Sequence, residues 1–360
     1  MSAFAIYRLP RENHFTLIEQ THGEPLSFSS LTQLNGQEGF VVAPFAVSEE
    51  LPVLLIRPDR VTTTVSEDPC SLPLAPSCPL SLAPCPSNNA TRADYHIDFA
   101  NYHAHLLSGD FQKIVLARST FHSPLTTHHS PIELFCDACQ RYPRMFICLV
   151  STPQSGTWLT ATPEILLSGT GNQWQTIALA GTMKLEGEDL NGEGEHVMWS
   201  TKNIQEQRYV ATYITECLEH FTDNFTERGP YTVRAGNLVH LRSDFTFTLP
   251  DTQHLGDVLT TLHPTPAVCG LPKRQTFEFI QTNEHSPRLY YSGFMGPLCL
   301  SATHYSPLTT HLFVSLRCMR LLTDGYQLYA GGGLLPGSVE EQEWQETEAK
   351  METMRNLLYI

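Results

Sequence analysis

A mixed α/β (α+β) domain with large antiparallel sheets is what this sequence predicts, and three observations carry that expectation. Short apolar runs with period-two alternation follow one another in hairpin-like order between Gly and Pro turns. Only a few stretches are long and helical in period. No internal repeat and no clean midpoint divides the 360 residues, which are 41% hydrophobic and 16% charged, a balance that supports a large core.

The elements follow in order. Residues 1–60 alternate in runs such as FTLIEQ and EGFVVAPF, read as strands. Residues 68–90, DPCSLPLAPSCPLSLAPCPSNNA, are too rich in Pro, Ser and Cys for a regular element and read as a surface loop; with no clean boundary in the chain, 1–90 are expected to belong to the same domain as 91–360. Next, TRADYHIDFANYHAHLLSGD places Tyr95, Phe99, Tyr102 and Leu106 at helical spacing, and Gly109 ends that helix. It delivers the chain into a strand, FQKIVLARS. Further strands are expected at 145–151, 157–161, 164–169, 174–179, 231–235, 238–241, 289–294, 311–317 and 326–330. Helices are expected at 195–220, 272–283 and 339–358.

Charge bounds the function. With 37 acidic residues against 22 Lys and Arg, the net charge of −15 argues against sequence-independent nucleic-acid binding, and an anionic substrate would need a local basic pocket. The start, MSAFAIYRLPRENHF, has no basic segment followed by a long apolar run, and no stretch reaches about 18 apolar residues. A cytoplasmic protein without a membrane partner is the expectation. Ten cysteines at 70, 78, 85, 136, 139, 148, 217, 269, 299 and 318 are scattered through mostly apolar runs and read as small core residues; Cys136 and Cys139 make a CxxC with no second half-site.

Several residues carry potential chemistry. Lys113 shares one strand face with Val115, Ala117 and Ser119, and nothing nearby in sequence neutralises it, so it either snorkels to water or is kept for its proton chemistry. In the last helix Glu343, Glu346, Lys350, Met354 and Leu357 form one stripe. That stripe reads either as an acidic first turn favoured by the helix dipole or as carboxylates aimed inward. Glu206 lies on the apolar stripe of another helix with Asn203, Val210, Ile214 and Cys217. Carboxylates gathered from two helices select a hard cation such as Mg²⁺, unless each is a surface ion pair. Gly331, Gly332 and Gly333 allow a ligand to approach backbone N–H groups near a helix start, or simply make a tight turn. Arg317 in LFVSLRCM suits a bidentate grip on a carboxylate or an internal ion pair. Glu164 follows a proline in ATPEILLSG, Thr182 follows a glycine in LAGTMK, and His263 lies in the rigid, proline-punctuated loop LHPTPAVCGLP.

Taken together, FQKIVLAR, TPEILL, LAGT, LHPTPAVCGLP, YYSGFMG, VSLRC and AGGGLLPGS…EWQETEAK resemble, in order and spacing, the chorismate-utilising enzymes over roughly residues 95–358, which leaves residues 1–90 divergent and peripheral. That resemblance implies one large anthranilate-synthase-like domain, two large antiparallel sheets in a sandwich with outer helices, and chorismate with Mg²⁺ in a deep cleft. It implies Lys113 as the base that activates water for attack at ring C2, and Glu164 as the acid for the departing C4 hydroxyl. Glu206 and Glu346 would bind Mg²⁺ directly and Glu343 through a water. Tyr291, Arg317, Gly332, Gly333 and Lys350 would hold the two carboxylates of the substrate, while Thr182 and His240 line the ring site. Lysine at 113, where ammonia-using relatives typically carry glutamine, points to water as nucleophile. Ala267, where salicylate synthases often carry threonine, favours an isochorismate synthase, with menaquinone synthesis ahead of siderophore synthesis as the destination and a monomer as the expected state. Two departures concern the surroundings of the metal: LAGTMK lacks the usual arginine, and KNIQEQ puts Asn203 and Gln207 where KDxxEH is commoner.

Overall fold

The computed structural model describes residues 2–65, 80–83, 91–123, 130–185, 197–301 and 307–359. Most of the expected Pro-rich loop lies outside the described residues. The chain opens with β1 (Ala3–Arg8), β2 (His14–Gln20), β3 (Leu26–Phe28), β4 (Gly39–Ala43), β5 (Val53–Ile56) and β6 (Arg60–Val65), followed by α1 (Arg92–Ser108), β7 (Lys113–His122) and α2 (Pro131–Arg141). Then come β8 (Phe146–Thr152), β9 (Gly156–Thr162), β10 (Ile165–Thr170), β11 (Gln173–Lys184), α3 (Thr201–Leu218), β12 (Phe225–Ala235) and β13 (Leu238–Thr248). The last part holds α4 (Leu255–Leu262), β14 (Gly270–Leu271), α5 (Lys273–Asn283), β15 (Phe294–Leu298), β16 (Thr309–Val314), β17 (Cys318–Leu322), β18 (Gly325–Leu334) and α6 (Glu340–Arg355).

Two nine-stranded sheets result, in the orders β14-β7-β18-β17-β9-β8-β1-β2-β6 and β12-β13-β11-β10-β16-β15-β4-β5-β3. Alternation explains how they stack, because one face of each strand must be buried against a second layer. Tyr7, Phe146, Val150, Trp158 and Tyr329 of the first sheet meet Phe40, Leu54, Met295 and Phe313 of the second in one apolar cluster. Phe146 and Phe313 stack across that interface with centroids 4.2 Å apart. On the outer faces, α2 and α6 cover the first sheet, α3 and α4 cover the second, and α1 and α5 close the β7 end. The expected sandwich with outer helices is therefore the observed fold. Cys136 and Cys139 are both buried in the α2 packing, as core residues. Among the described residues no helix is long and apolar enough to cross a membrane.

Local signals set most boundaries. Thr91 and Asp94 form a capping box at the start of α1, and Gly109 at φ 81° ends it. Three expectations need correction. Residues 289–293 form a turn rather than a strand, because Leu289 and Ser292 sit at positive φ; strand structure begins at Phe294. The expected strand 311–317 stops at Val314, and Arg317, at φ 47°, lies in the link that carries the chain from the second sheet to the first. Within the described part of 195–220 the helix starts only at Thr201, where the Ser200 side chain caps it.

Candidate active site

β7 alternates as its sequence suggests: Ile114 and Leu116 pack toward α1 and α5, while Val115 and Ala117 face the interior between the sheets. Beyond Val115 lies a cavity of about 630 Å³, counting the space at its mouth. Nine of the thirteen residues to which the family resemblance gives roles line it: Glu164, Thr182, Glu206, His240, Ala267, Tyr291, Arg317, Gly333 and Lys350. The other four stand just behind. A Cβ on Gly332 would lie 3.3 Å from Glu343 Oε2 and 4.0 Å from Glu346 Oε1. One on Gly333 would lie 2.0 Å from Glu206 Oε1 and 2.9 Å from Lys113 Cε, which is why only glycine fits between these groups and the cavity.

The glycine run corrects one expectation. It lies inside β18, paired with Leu116, Ala117 and Val115 of β7, and not in a loop before α6. Pairing with β17 on the other side stops at Leu328, so β18 continues past its neighbour and turns a backbone edge toward α6, where Lys350 Nζ donates to the Gly331 carbonyl at 2.9 Å. Across the cavity, β11 carries a bulge between Ala180 and Thr182 with Gly181 at φ 73°. The bulge turns the Gly181 carbonyl to His240 Nδ1, 3.0 Å away, with Thr182 Oγ1 at 3.3 Å from the same nitrogen. A carbonyl only accepts, so Nδ1 carries the hydrogen and Nε2 receives the Arg317 Nη2 donor. Burial, with Arg317 and Lys350 nearby, keeps this imidazole neutral by pushing its pKa well below the usual range. Arg317 is lowered to about 10 by burial and remains a cation at neutral pH.

Glu164 ends the turn before β10 and is 2% exposed. Burial raises its carboxyl to about 8, against the opposing pull of Lys113, Arg317 and Lys350, so it holds its proton at pH 7.

Each of the three remaining carboxylates has a lysine. Lys113, fully buried, sits 3.1 Å from Glu206 Oε1 and donates to the Pro266 carbonyl at 2.6 Å. This corrects the expectation of an unneutralised amine: its partner comes from α3, far along the chain. Lys350 Nζ pairs with Glu346 Oε1 at 2.6 Å, and Lys202 pairs with Glu343. Burial works against charge on Glu206, but Lys113, Lys350 and Lys202 overcome it and hold the carboxyl below its usual range. Glu343 is raised instead, by burial and then by Glu346. As they stand, no three acidic, His or Cys residues among the described ones are gathered to ligate an ion. The donor chemistry nevertheless fits a hard cation: Glu343 Oε2 is buried without a hydrogen-bond partner, and the carboxylates converge on the Gly332–Gly333 backbone.

The departures at 203 and 207 are also placed. Gln207 is buried and donates to Ser243 Oγ on β13 at 2.8 Å, away from the carboxylates, while Asn203 packs on Gly181 beside the cavity.

Supporting residues that the motifs did not single out hold this geometry. Arg288 grips both oxygens of Glu284 at 2.6 and 2.7 Å and donates to the carbonyls of Val268 (2.6 Å) and Val115 (2.8 Å), two cavity walls. Trp344 on α6 lies between Arg118 (3.6 Å from the ring centroid) and Arg92 (4.7 Å), fixing the helix that carries Glu343 and Glu346. Glu284 and Arg288 stand at i,i+4, a spacing visible in sequence, but only their burial distinguishes them from an ordinary surface pair.

This fold and cavity define a class. The family model described as "Chorismate binding enzyme" matches residues 76–359, and the chain belongs to that family. Among its relatives are isochorismate synthase MenF of Escherichia coli K12, 30% identical over 71% of this chain and 58% of that protein, and isochorismate synthase DhbC of Bacillus subtilis 168, 30% identical over 70% and 64%. The chain thus spans less than two thirds of the length of these relatives. The solved structure of the menaquinone-specific isochorismate synthase MenF from E. coli superposes with a TM-score of 0.77 at 23% identity, covering 99% of this chain and 88% of that one.

Proposed function

We propose that the protein is an isochorismate synthase, converting chorismate reversibly to isochorismate. What supports the reading most is a cavity in which a buried, protonated Glu164 shares the walls with Arg317 and Lys350, while Lys113 lies directly behind Gly333. The two cations match a dianionic substrate inside an acidic chain. Lys113 removes a proton from water as its oxygen bonds to ring C2. Glu164 gives its proton to the C4 hydroxyl, whose C–O bond breaks and releases water, with the ring double bonds shifting between those carbons. One water enters and one leaves, so the reaction is a net isomerisation. For Lys113 to act, Nζ must part from Glu206 and turn past Gly333. Arg317, oriented by His240, and Lys350, beside the open edge of β18, hold carboxylates, while Thr182, Ala267 and Tyr291 shape the ring site. Glu206, Glu346 and Glu343 would hold Mg²⁺, which supplies positive charge against the ring carboxylate when bound. Menaquinone synthesis in the cytoplasm is the context we attach to this activity.

Three measurements test it. Purified protein with chorismate and Mg²⁺ should yield isochorismate by chromatography; salicylate and pyruvate as the main products would transfer the assignment to a salicylate synthase. Because Glu164 must be protonated, kcat/KM should fall about tenfold per pH unit above roughly 8. The same raised pKa means that, from the ordinary 4.5 up to about 8, the unfolded chain ionises this group before the folded one does, so its contribution to stability diminishes as pH rises. A profile flat to pH 9.5 would refute the acid assignment. Glu346→Gln should raise the Mg²⁺ concentration for half-maximal activity by about 10- to 100-fold, and an unchanged requirement would place the ion elsewhere.

A further inference from the structure

The lysine–glutamate pairs are not equivalent. Lys113 is also held by the Pro266 carbonyl and Lys350 by the Gly331 carbonyl, each from a different element than its glutamate. Among the described residues, Lys202 has Glu343 as its partner, and its side chain is 30% exposed while that of Glu343 is 1% exposed. Lys202 stands one helical turn before Glu206 on α3, so a single face of that helix brings an ammonium and a carboxylate to the acidic stripe of α6. One oxygen of Glu343 is taken by this ammonium and the other is buried without a partner. A buried carboxylate with an unused oxygen is costly, and a second cation would satisfy it.

We propose that Lys202 is a built-in competitor of the divalent cation: its ammonium holds Glu343 when no ion is bound and swings into solvent when one enters, and this exchange sets the cation affinity. The proposal rests on the reading that Glu206, Glu343 and Glu346 hold Mg²⁺. It accounts for a feature that reading leaves open, namely that the carboxylates are paired with lysines rather than gathered on one point. Lys202 differs from Lys113 and Lys350 in role: Lys350 lines the cavity and Lys113 is fully buried in β7, whereas Lys202 lies on a helix, outside the cavity lining, and reaches water without disturbing a strand.

Binding of Mn²⁺, followed by electron paramagnetic resonance of the free ion and by calorimetry with Mg²⁺, tests this without any turnover. Lys202→Gln should tighten the dissociation constant about tenfold relative to the unaltered protein, whereas Lys202→Arg, which keeps the charge, should not tighten it. Circular dichroism melts confirm that each variant is folded. Equal affinity for all three proteins, or weaker binding by the Gln variant, would overturn the competitor role while leaving the cation site standing. No binding by any of them, in the presence or absence of chorismate, would remove the cation site and the competitor role together.

Discussion

Lys113→Ala is expected to lower the rate of isochorismate formation by about 1000-fold, within the range that loss of a general base produces. The magnitude follows from the position of the amine. Lys113 is the first residue of β7, buried between Gly333 and Glu206, and, among the described residues, the one amine lining the cavity, that of Lys350, is tied to Glu346 at 2.6 Å and to the Gly331 carbonyl at 2.9 Å. Truncation also strands the Glu206 carboxylate, so some loss of stability accompanies it. Lys113→Gln separates the two effects, because an amide still donates to Glu206 and the Pro266 carbonyl but takes no proton from water. Equal loss in both variants, with the Gln protein melting close to the parent, supports the base; near-normal turnover by either refutes it.

The second large effect concerns stability. Arg288→Ala should destabilise the protein by about 3–5 kcal/mol, read as a lower midpoint of urea unfolding, since it leaves a buried Glu284 carboxylate without its cation. Both side chains are 3% exposed, and Glu284 also accepts the Ala117 N–H at 2.7 Å. The guanidinium ties β7 to the segment carrying Ala267 and Val268, so the ring site should loosen as well. Joint replacement by apolar residues of similar volume should recover much of the loss. A change below 1 kcal/mol for the single variant would mean that this pair is solvated.

Much of the fold was legible because alternation, capping and glycine punctuation are local. The α1 cap, the Gly109 stop and the buried face of β7 all follow from neighbouring residues. What local patterns missed was decided by tertiary geometry. The turn at 289–293 contains Tyr290 and Tyr291, good strand residues, yet positive φ at Leu289 and Ser292 brings Tyr291 to the cavity. Arg317 looks like a strand residue and is instead a link between sheets, which lets its guanidinium reach His240. At the site, nine of the residues that the family resemblance named share one cavity wall. The pairing of Lys113 with Glu206, of Lys202 with Glu343, and the Arg288 clamp lay beyond sequence because each joins separate elements. Gln207 illustrates the same limit: its identity marked a departure, and only its bond to Ser243 gave that departure a place.

Transfer of ¹⁸O from solvent distinguishes addition of water at C2 from migration of the original hydroxyl. With chorismate turned over in water enriched in ¹⁸O, the account requires one labelled oxygen in each newly formed isochorismate, at the C2 hydroxyl, because solvent supplies the nucleophile that Lys113 activates. Unlabelled isochorismate would mean that the original hydroxyl migrates within the ring, and would contradict the account.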